Sequence, residues 1–444
     1  RAPPLAAGPN GTCRMRDTGR EWPDDRRDVE CMTSRLRAHM ALAGVLVAAV
    51  LVASGCGRAS SPSGKPIAWE RIDPSPTSDE GPSEIVAWGD GYVGVGAHSA
   101  WTTTDGRTWQ ATPLPDVGEG GAIGLVAIDG RLVAVGSASS SQDPYSTRAA
   151  VWTSVDGLAW QRVPDDPDLQ PAPGFDQVQL SGVTAGPAGL VAVGTEWGNA
   201  GQHAGVWRST DGRDWVRATT SLGGSGARDV LAIADGYVLA SADNARTGEM
   251  TRTAFWFSSD GLAWTPATDD PSFRDAEPQS LAVRDGTLVA VGYRVTSVGL
   301  APMVWTSTDG RAWAPVPETP ALAWWPLPGP TPVGGRGALQ GTALSGVHAG
   351  WSGFIAVGSQ WGLDASKPQP DGSFALAMRG GIWRSADGRA WELLPDDLVS
   401  VSEAGMSFLR YGLASVGELG GMPLIVGTTP DLGVTLWLGP ASIE

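Results

Sequence analysis

A ten-residue pattern recurs six times along this chain: AWTTTDGRTW (100–109), VWTSVDGLAW (151–160), VWRSTDGRDW (206–215), FWFSSDGLAW (255–264), VWTSTDGRAW (304–313) and IWRSADGRAW (382–391). Every copy has a Trp, a small or hydroxyl-bearing pair, Asp-Gly and a second Trp. Asp-Gly between apolar runs is a strong hairpin signal. The Asp side chain accepts from nearby backbone N–H groups, and Gly takes a positive φ without a Cβ clash. One hairpin written six times implies a repeat architecture, with the Trp rings filling the space between neighbouring elements.

A second pattern precedes each copy: YVGVG (92–96), LVAVG (132–136), LVAVG (190–194), YVLAS (237–241), LVAVG (288–292), FIAVG (354–358) and LIVG (424–427). Seven copies of this strand stand against six of the first pattern. The last unit, 407–440, contains Trp437 but no Asp-Gly. Its missing strand matches IAWERIDP (67–74), which is similar to AWAPVP (312–317) and AWELLP (390–395). The expectation is an all-β, seven-bladed β-propeller of four-stranded blades over 66–440, its ring closed by strand 67–74 completing the last blade. The 61 Gly and 34 Pro fit many short strands with tight turns.

The first pattern resembles the Asp-box, or BNR, repeat of sialidases, sortilin-type receptors, xyloglucan-degrading glycosidases and photosystem assembly factors. Here it is shortened, with Gly directly after Asp. The resemblance spans essentially all of 66–440 and implies that the boxes lie on turns opposite the functional face. Asp105, Asp156, Asp211, Asp260, Asp309 and Asp387 are therefore expected to be structural.

From Met32 the sequence reads MTSRLRAHMALAGVLVAAVLVASGC. Arg35 and Arg37 precede an apolar stretch too short to span a membrane comfortably, and small residues follow. The ending VASGC resembles the lipobox of bacterial lipoproteins, which makes Cys56 the lipidated residue. An ordinary secretory signal is the alternative. The expected organisation is an untranslated 1–31 ahead of a start at Met32, a signal peptide at 32–55, and a flexible tether at 56–65. The location that follows is the outer face of the cell membrane, or secretion, with membrane contact through the lipid alone. A formal net charge of −16 without a Lys/Arg cluster excludes nucleic acid as a partner class.

The blade connectors and the loops between second and third strands share the face away from the Asp boxes. TEWG and SQWG place Trp197, with Glu196 beside it, and Trp361 at matching points of blades three and six; Trp324 and Trp325 lie in a connector insertion. Exposed Trp beside polar groups is suited to stacking sugars or capping a peptide. Repeated Asp residues after fourth strands, such as PDDPD (164–168) and TDDP (268–271), also read as simple connector turns. No metal or cofactor is expected, because the His residues lack ligand spacing. A monomer that binds a glycan, a peptide or an envelope protein is the leading reading. The alternative is a glycoside hydrolase, sialidase-like or of another two-carboxylate kind. A sialidase would need a Tyr nucleophile with a Glu partner and three Arg, drawn from Tyr145, Tyr293 and Tyr411 and from Arg148, Arg294, Arg379 and Arg410.

Overall fold

Each LVAVG-type run forms the second strand of an antiparallel four-strand meander, because its alternation of large and small apolar residues suits a sheet covered on both faces. The structure is a computed structural model that describes residues 67–73, 80–140, 143–199, 201–220, 222, 226–242, 255–296, 299–322, 341–350, 352–368, 374–395, 398, 400–403, 412–429 and 433–441. Cys56, Trp324 and Trp325 lie outside these residues. Among the described residues no helix is long and apolar enough to cross a membrane.

The meanders begin with the first strands Glu84–Trp88, Gly121–Ile128, Gln177–Gly186, Gly226–Ile233, Ala276–Arg284, Gly341–Gly350 and Gly412–Leu419. They are called here the first to the seventh sheet. The fifth and sixth also touch through one parallel pairing, Leu300 with Gly341. In the seventh sheet the outermost strand comes from the other end of the described chain. Glu70–Ile72 pairs antiparallel with Gly433–Leu438, placing Glu70 opposite Leu438, Arg71 opposite Trp437 and Ile72 opposite Leu436. Arg71 reinforces this join by donating to Thr429 Oγ1 at 3.1 Å.

Successive sheets pack through their first strands, each against the next, as in a β-propeller. Ser415 Oγ of the seventh donates to Ser83 O beside the first at 3.2 Å. All first strands except that of the first sheet carry a one-residue register shift, for example between Ala227 and Asp229. Such bulges increase local twist and redirect a side chain.

The recurrent turn is built by one hydrogen-bond set. In the second sheet Ser154 Oγ accepts from Gly157 N at 2.9 Å, and Asp156 Oδ1 accepts from Leu158 N at 2.9 Å and Ala159 N at 2.8 Å. Trp160 closes it by donating Nε1–H to Gly157 O at 3.0 Å. The same Ser/Thr and Asp contacts recur around Asp105, Asp211, Asp260, Asp309 and Asp387. The first Trp of the pattern does a different job. Trp152, Trp207, Trp305 and Trp383 are wholly buried between sheets, and their indole N–H groups donate to the preceding connector, at Pro115 O, Asp168 O, Ser272 Oγ and Ala321 O. Each buried indole removes about 200 Å² from water. That is worth on the order of 5 kcal/mol at about 25 cal/mol per Å², an upper value because an unfolded chain already hides part of it.

The turn glycine also sets how sheets dock. Gly157 has φ +75°, and a Cβ there would meet Val93 Cγ2 of the first sheet at 2.6 Å. Gly130, in the hairpin between the first two strands of the second sheet, has φ +71° with open space around it. Gly157→Ala is expected to lose about 1–3 kcal/mol through strain and overpacking, against about 1 kcal/mol for Gly130→Ala through strain alone. Equilibrium unfolding of the two variants beside the parent measures the difference.

Candidate functional site

The face reached by second-to-third-strand loops and connectors holds a cavity of about 790 Å³ across the first three sheets. Gly120 to Ile123, at the start of the second sheet's first strand, line it, and the small Gly120, Gly121 and Ala122 leave room. Ser137 and Thr147 come from the second sheet, and Gln177, Gln179 and Trp197 from the third. Register explains the Trp: Gln177 pairs with Trp197, and Asp176 N donates to Trp197 O at 2.8 Å. The amides are oriented by hydroxyls at long range, Thr147 Oγ1 donating to Gln177 Oε1 and Gln179 Nε2 to Ser137 Oγ, both at 3.4 Å. Glu119 is the one charged residue in the lining. The chemistry on offer is an indole, two amides and hydroxyls, which suits an uncharged ligand.

The other expected contacts separate. Trp361 stands at the matching register point of the sixth sheet but is buried against Met378, with Leu300 and Ala343 beside it. The parallel approach of Leu300 to Gly341 covers it, so it packs rather than presents a ring. Glu196 is fully buried. Its Oε1 accepts from Ala172 N at 2.8 Å and its Oε2 from Arg217 Nη1 at 2.8 Å. His203 Nδ1 lies 3.4 Å from the same oxygen, close enough for attraction but not aligned as a hydrogen bond. Burial pushes the Glu196 carboxyl up; the contacts from His203, Ala172 and Arg217 outweigh it and hold the group below its ordinary range. Glu196 therefore fastens the 164–176 connector to the third sheet. Gln360, at the matching point of the sixth sheet, instead bonds within its own sheet, accepting from Arg379 Nε at 2.9 Å and donating to Thr342 Oγ1 at 3.3 Å.

The connector aspartates have the plainer of their two roles. Asp166 and Asp270 cap short 3-10 turns, accepting from Asp168 N and Ser272 N. Asp166 and Asp168 also accept from Trp215 N and Arg217 N, both at 3.2 Å, on the outer strand of the third sheet. The six turn aspartates are unsuited to acid catalysis. Their carboxyls sit below the ordinary value, Asp105 at about 2 because the backbone N–H groups of Thr108 and Arg107 stabilise the anion. A general acid near neutrality needs the opposite shift.

Two groups that sequence reading left unmarked carry raised values. On the first and fourth first strands, Glu84 is exposed at its surface and Asp229 half-buried, yet both carboxyls are ringed by protein atoms that displace bulk water. Burial, then the Asp229 charge, pushes Glu84 to about 8. Burial likewise pushes Asp229 to about 6, although it accepts from Val230 N and from Leu281 N of the next sheet. Further along, Tyr293 donates to Glu277 Oε2 at 2.7 Å with Arg228 3.6 Å from that oxygen. Burial and the Glu277 charge keep the phenol protonated. Arg148 and Arg379 are engaged elsewhere, by Gln170 and Gln360. Among the described residues no group of three or more His, Cys, Asp and Glu is placed to hold a metal ion.

No protein-family model matches the chain, and no curated protein does. Among solved structures it is similar to YCF48 bound to D1 peptide, at 14% identity and a TM-score of 0.49, covering 86% of this chain and 100% of that one. It is also similar to virginiamycin B lyase from Staphylococcus aureus, at 12% identity and 0.46, covering 84% and 99%. A third is Trypanosoma rangeli sialidase in complex with sialic acid, at 13% and 0.40, covering 84% of this chain and 58% of that one.

The Glu84 value has a testable sign. The folded state keeps a proton that the unfolded state releases above about pH 4.5, so folding is progressively penalised from there to about pH 8. The melting-temperature advantage of Glu84→Gln over the parent is expected to be near zero at pH 4.5, to grow with pH and to level off above pH 8. Thermal unfolding across that range reads it.

Proposed function

We propose that this chain is a lipid-anchored, seven-bladed propeller that binds an uncharged glycan on its loop face. The observation that carries the reading is the cavity lined by Trp197, Gln177, Gln179, Thr147 and Ser137, with Glu119 its single charged group. Its volume lies within the range of about 300–1,000 Å³ that ligand pockets occupy. A sugar offers an apolar face to an indole and hydroxyls to amides, which this lining answers point for point. An extended peptide is the next ligand class, since amides also pair with a peptide backbone.

The anchor rests on the n-region, apolar core and VASGC at Cys56. The ring of seven rests on the succession of first-strand neighbours and on the Glu70–Ile72 strand completing the seventh sheet. The repeated turn supports the Asp-box resemblance, with the Asp side chains consumed in holding their own hairpins.

Hydrolysis keeps one supporting observation, the Tyr293–Glu277 pair. Binding is preferred because, among the described residues, Arg228 is the one arginine paired with Glu277, where a sialidase clamp needs three.

Trp197→Ala is expected to weaken binding of a neutral oligosaccharide at least about tenfold, the scale of a lost aromatic anchor. Glu119→Gln should leave it within about twofold. Titration calorimetry over plant and cell-wall oligosaccharides, with released reducing sugar recorded beside it, provides the check. Sugar release abolished by Tyr293→Phe would replace the binding reading with hydrolysis.

A further inference from the structure

The opposite face, where the Asp-Gly turns lie, contains an internal ion pair with one half missing. Five of the six turns pack on the second strand of the preceding sheet, among them Gly310 on Val238 and Gly157 on Val93, while Gly106 meets Leu419 at the end of a first strand. In the first case the residue after Asp-Gly, Arg311, reaches back to Asp235 Oδ2 at 3.1 Å. Its guanidinium carbon lies 3.5 Å from the centroid of the Phe257 ring. Asp235 belongs to the hairpin Asp235-Gly236-Tyr237, and one other hairpin repeats that triplet, Asp90-Gly91-Tyr92 in the first sheet.

There the corresponding residue is Leu158, not Arg. Arg occupies the corresponding place at 107, 213, 311 and 389, and Leu only at 158 and 262. Arg107 shows the same habit, clasping Glu70 at 2.6 Å across the join of the first and seventh sheets. Leu158 stops short, is 48% exposed, and leaves a groove of about 560 Å³ lined by Trp88, Asp90, Tyr92, Thr102 and Leu158. Asp90 is exposed, and no Arg, Lys or His is within ion-pair distance of it among the described residues.

We propose that this groove receives an arginine side chain from a basic segment of another protein. The guanidinium pairs with Asp90 as Arg311 pairs with Asp235 and lies against Trp88, which lines the same groove from the first strand, since Thr102 stands at the place of Phe257. Charge favours such a partner, since the chain carries −16 and opposite potentials steer encounter. Arginine is preferred to lysine because its planar fork both pairs with a carboxylate and stacks on an aromatic face. This face is separate from the glycan cavity, so either site can fail without the other.

The test uses the full chain with fluorescein-labelled tetra-arginine and tetra-lysine peptides, read by fluorescence polarisation. Tetra-arginine is expected to bind more tightly than tetra-lysine. Leu158→Arg, which fills the groove from within, should weaken tetra-arginine binding about tenfold, and Asp90→Asn about fivefold. Leu262→Arg is the control: it adds the same charge at an equivalent turn whose neighbouring hairpin has Ala188 in place of Asp. It should leave affinity within about twofold. Four natural turns already carry Arg at this place, so both Arg variants retain the fold. Absence of binding by the parent, or equal losses in Leu158→Arg and Leu262→Arg, overturns the proposal.

Discussion

One carboxylate oxygen accepting two consecutive backbone N–H groups is the contact on which the rest of this protein depends. With the adjacent Ser or Thr hydroxyl, which pairs the buried Gly157 N–H, it satisfies the donors of a tight turn from within the turn itself. It also brings the turn glycine flat against the preceding sheet, where a Cβ would collide with Val93 or its counterparts. Local hydrogen bonding and inter-sheet packing are thereby set by the same four residues. Repeating them repeats both the hairpin and the angle at which it meets its neighbour. Acid weakens this arrangement in a defined window, since anions held below their ordinary value lose their stabilisation as pH falls below about 4 towards about 2.

The same logic extends to the edges. Short outer strands expose backbone donors, a known liability, and the connectors answer with Asp166 and Asp168 on the third sheet and Thr220 on the fourth. Glu196 and Arg217 then tie the 164–176 connector down from inside, with Arg217 also 4.8 Å from the Trp207 ring centroid. A fastened connector gives Trp197 a fixed position at the cavity wall. Loop-face recognition thus rests on rigid sheet ends, with polar groups committed to structure beneath and uncommitted ones above.

Much of the architecture was legible because the determinants are local. Asp-Gly spacing marked the turns, LVAVG-type runs marked the second strands, and the unmatched Trp69 segment pointed to the strand that pairs with Gly433–Leu438. The site was less legible because it is made between sheets. TEWG and SQWG are near-identical in sequence, yet Trp197 borders a cavity while Trp361 is covered by Leu300, a residue 61 positions away that no local pattern links to it. Gln177 and Gln179 carry no motif; their place at the start of a first strand is the only signal. Glu196 looked available beside a Trp, but its environment is supplied by Ala172 and Arg217 from other segments. Asp90 drew no notice for the opposite reason, since its meaning comes from the arginine absent at 158.

The central claim is that strands from both ends of 67–441 complete one ring. Amide hydrogen exchange of the full chain, resolved by peptide, addresses it directly. If the ring closes through Glu70–Ile72, amides in 70–72 exchange as slowly as those in Gly433–Leu438 and lose protection together with them when either is destabilised. Exchange in 70–72 at the rate of an unpaired segment, with 433–438 still protected, would contradict the account.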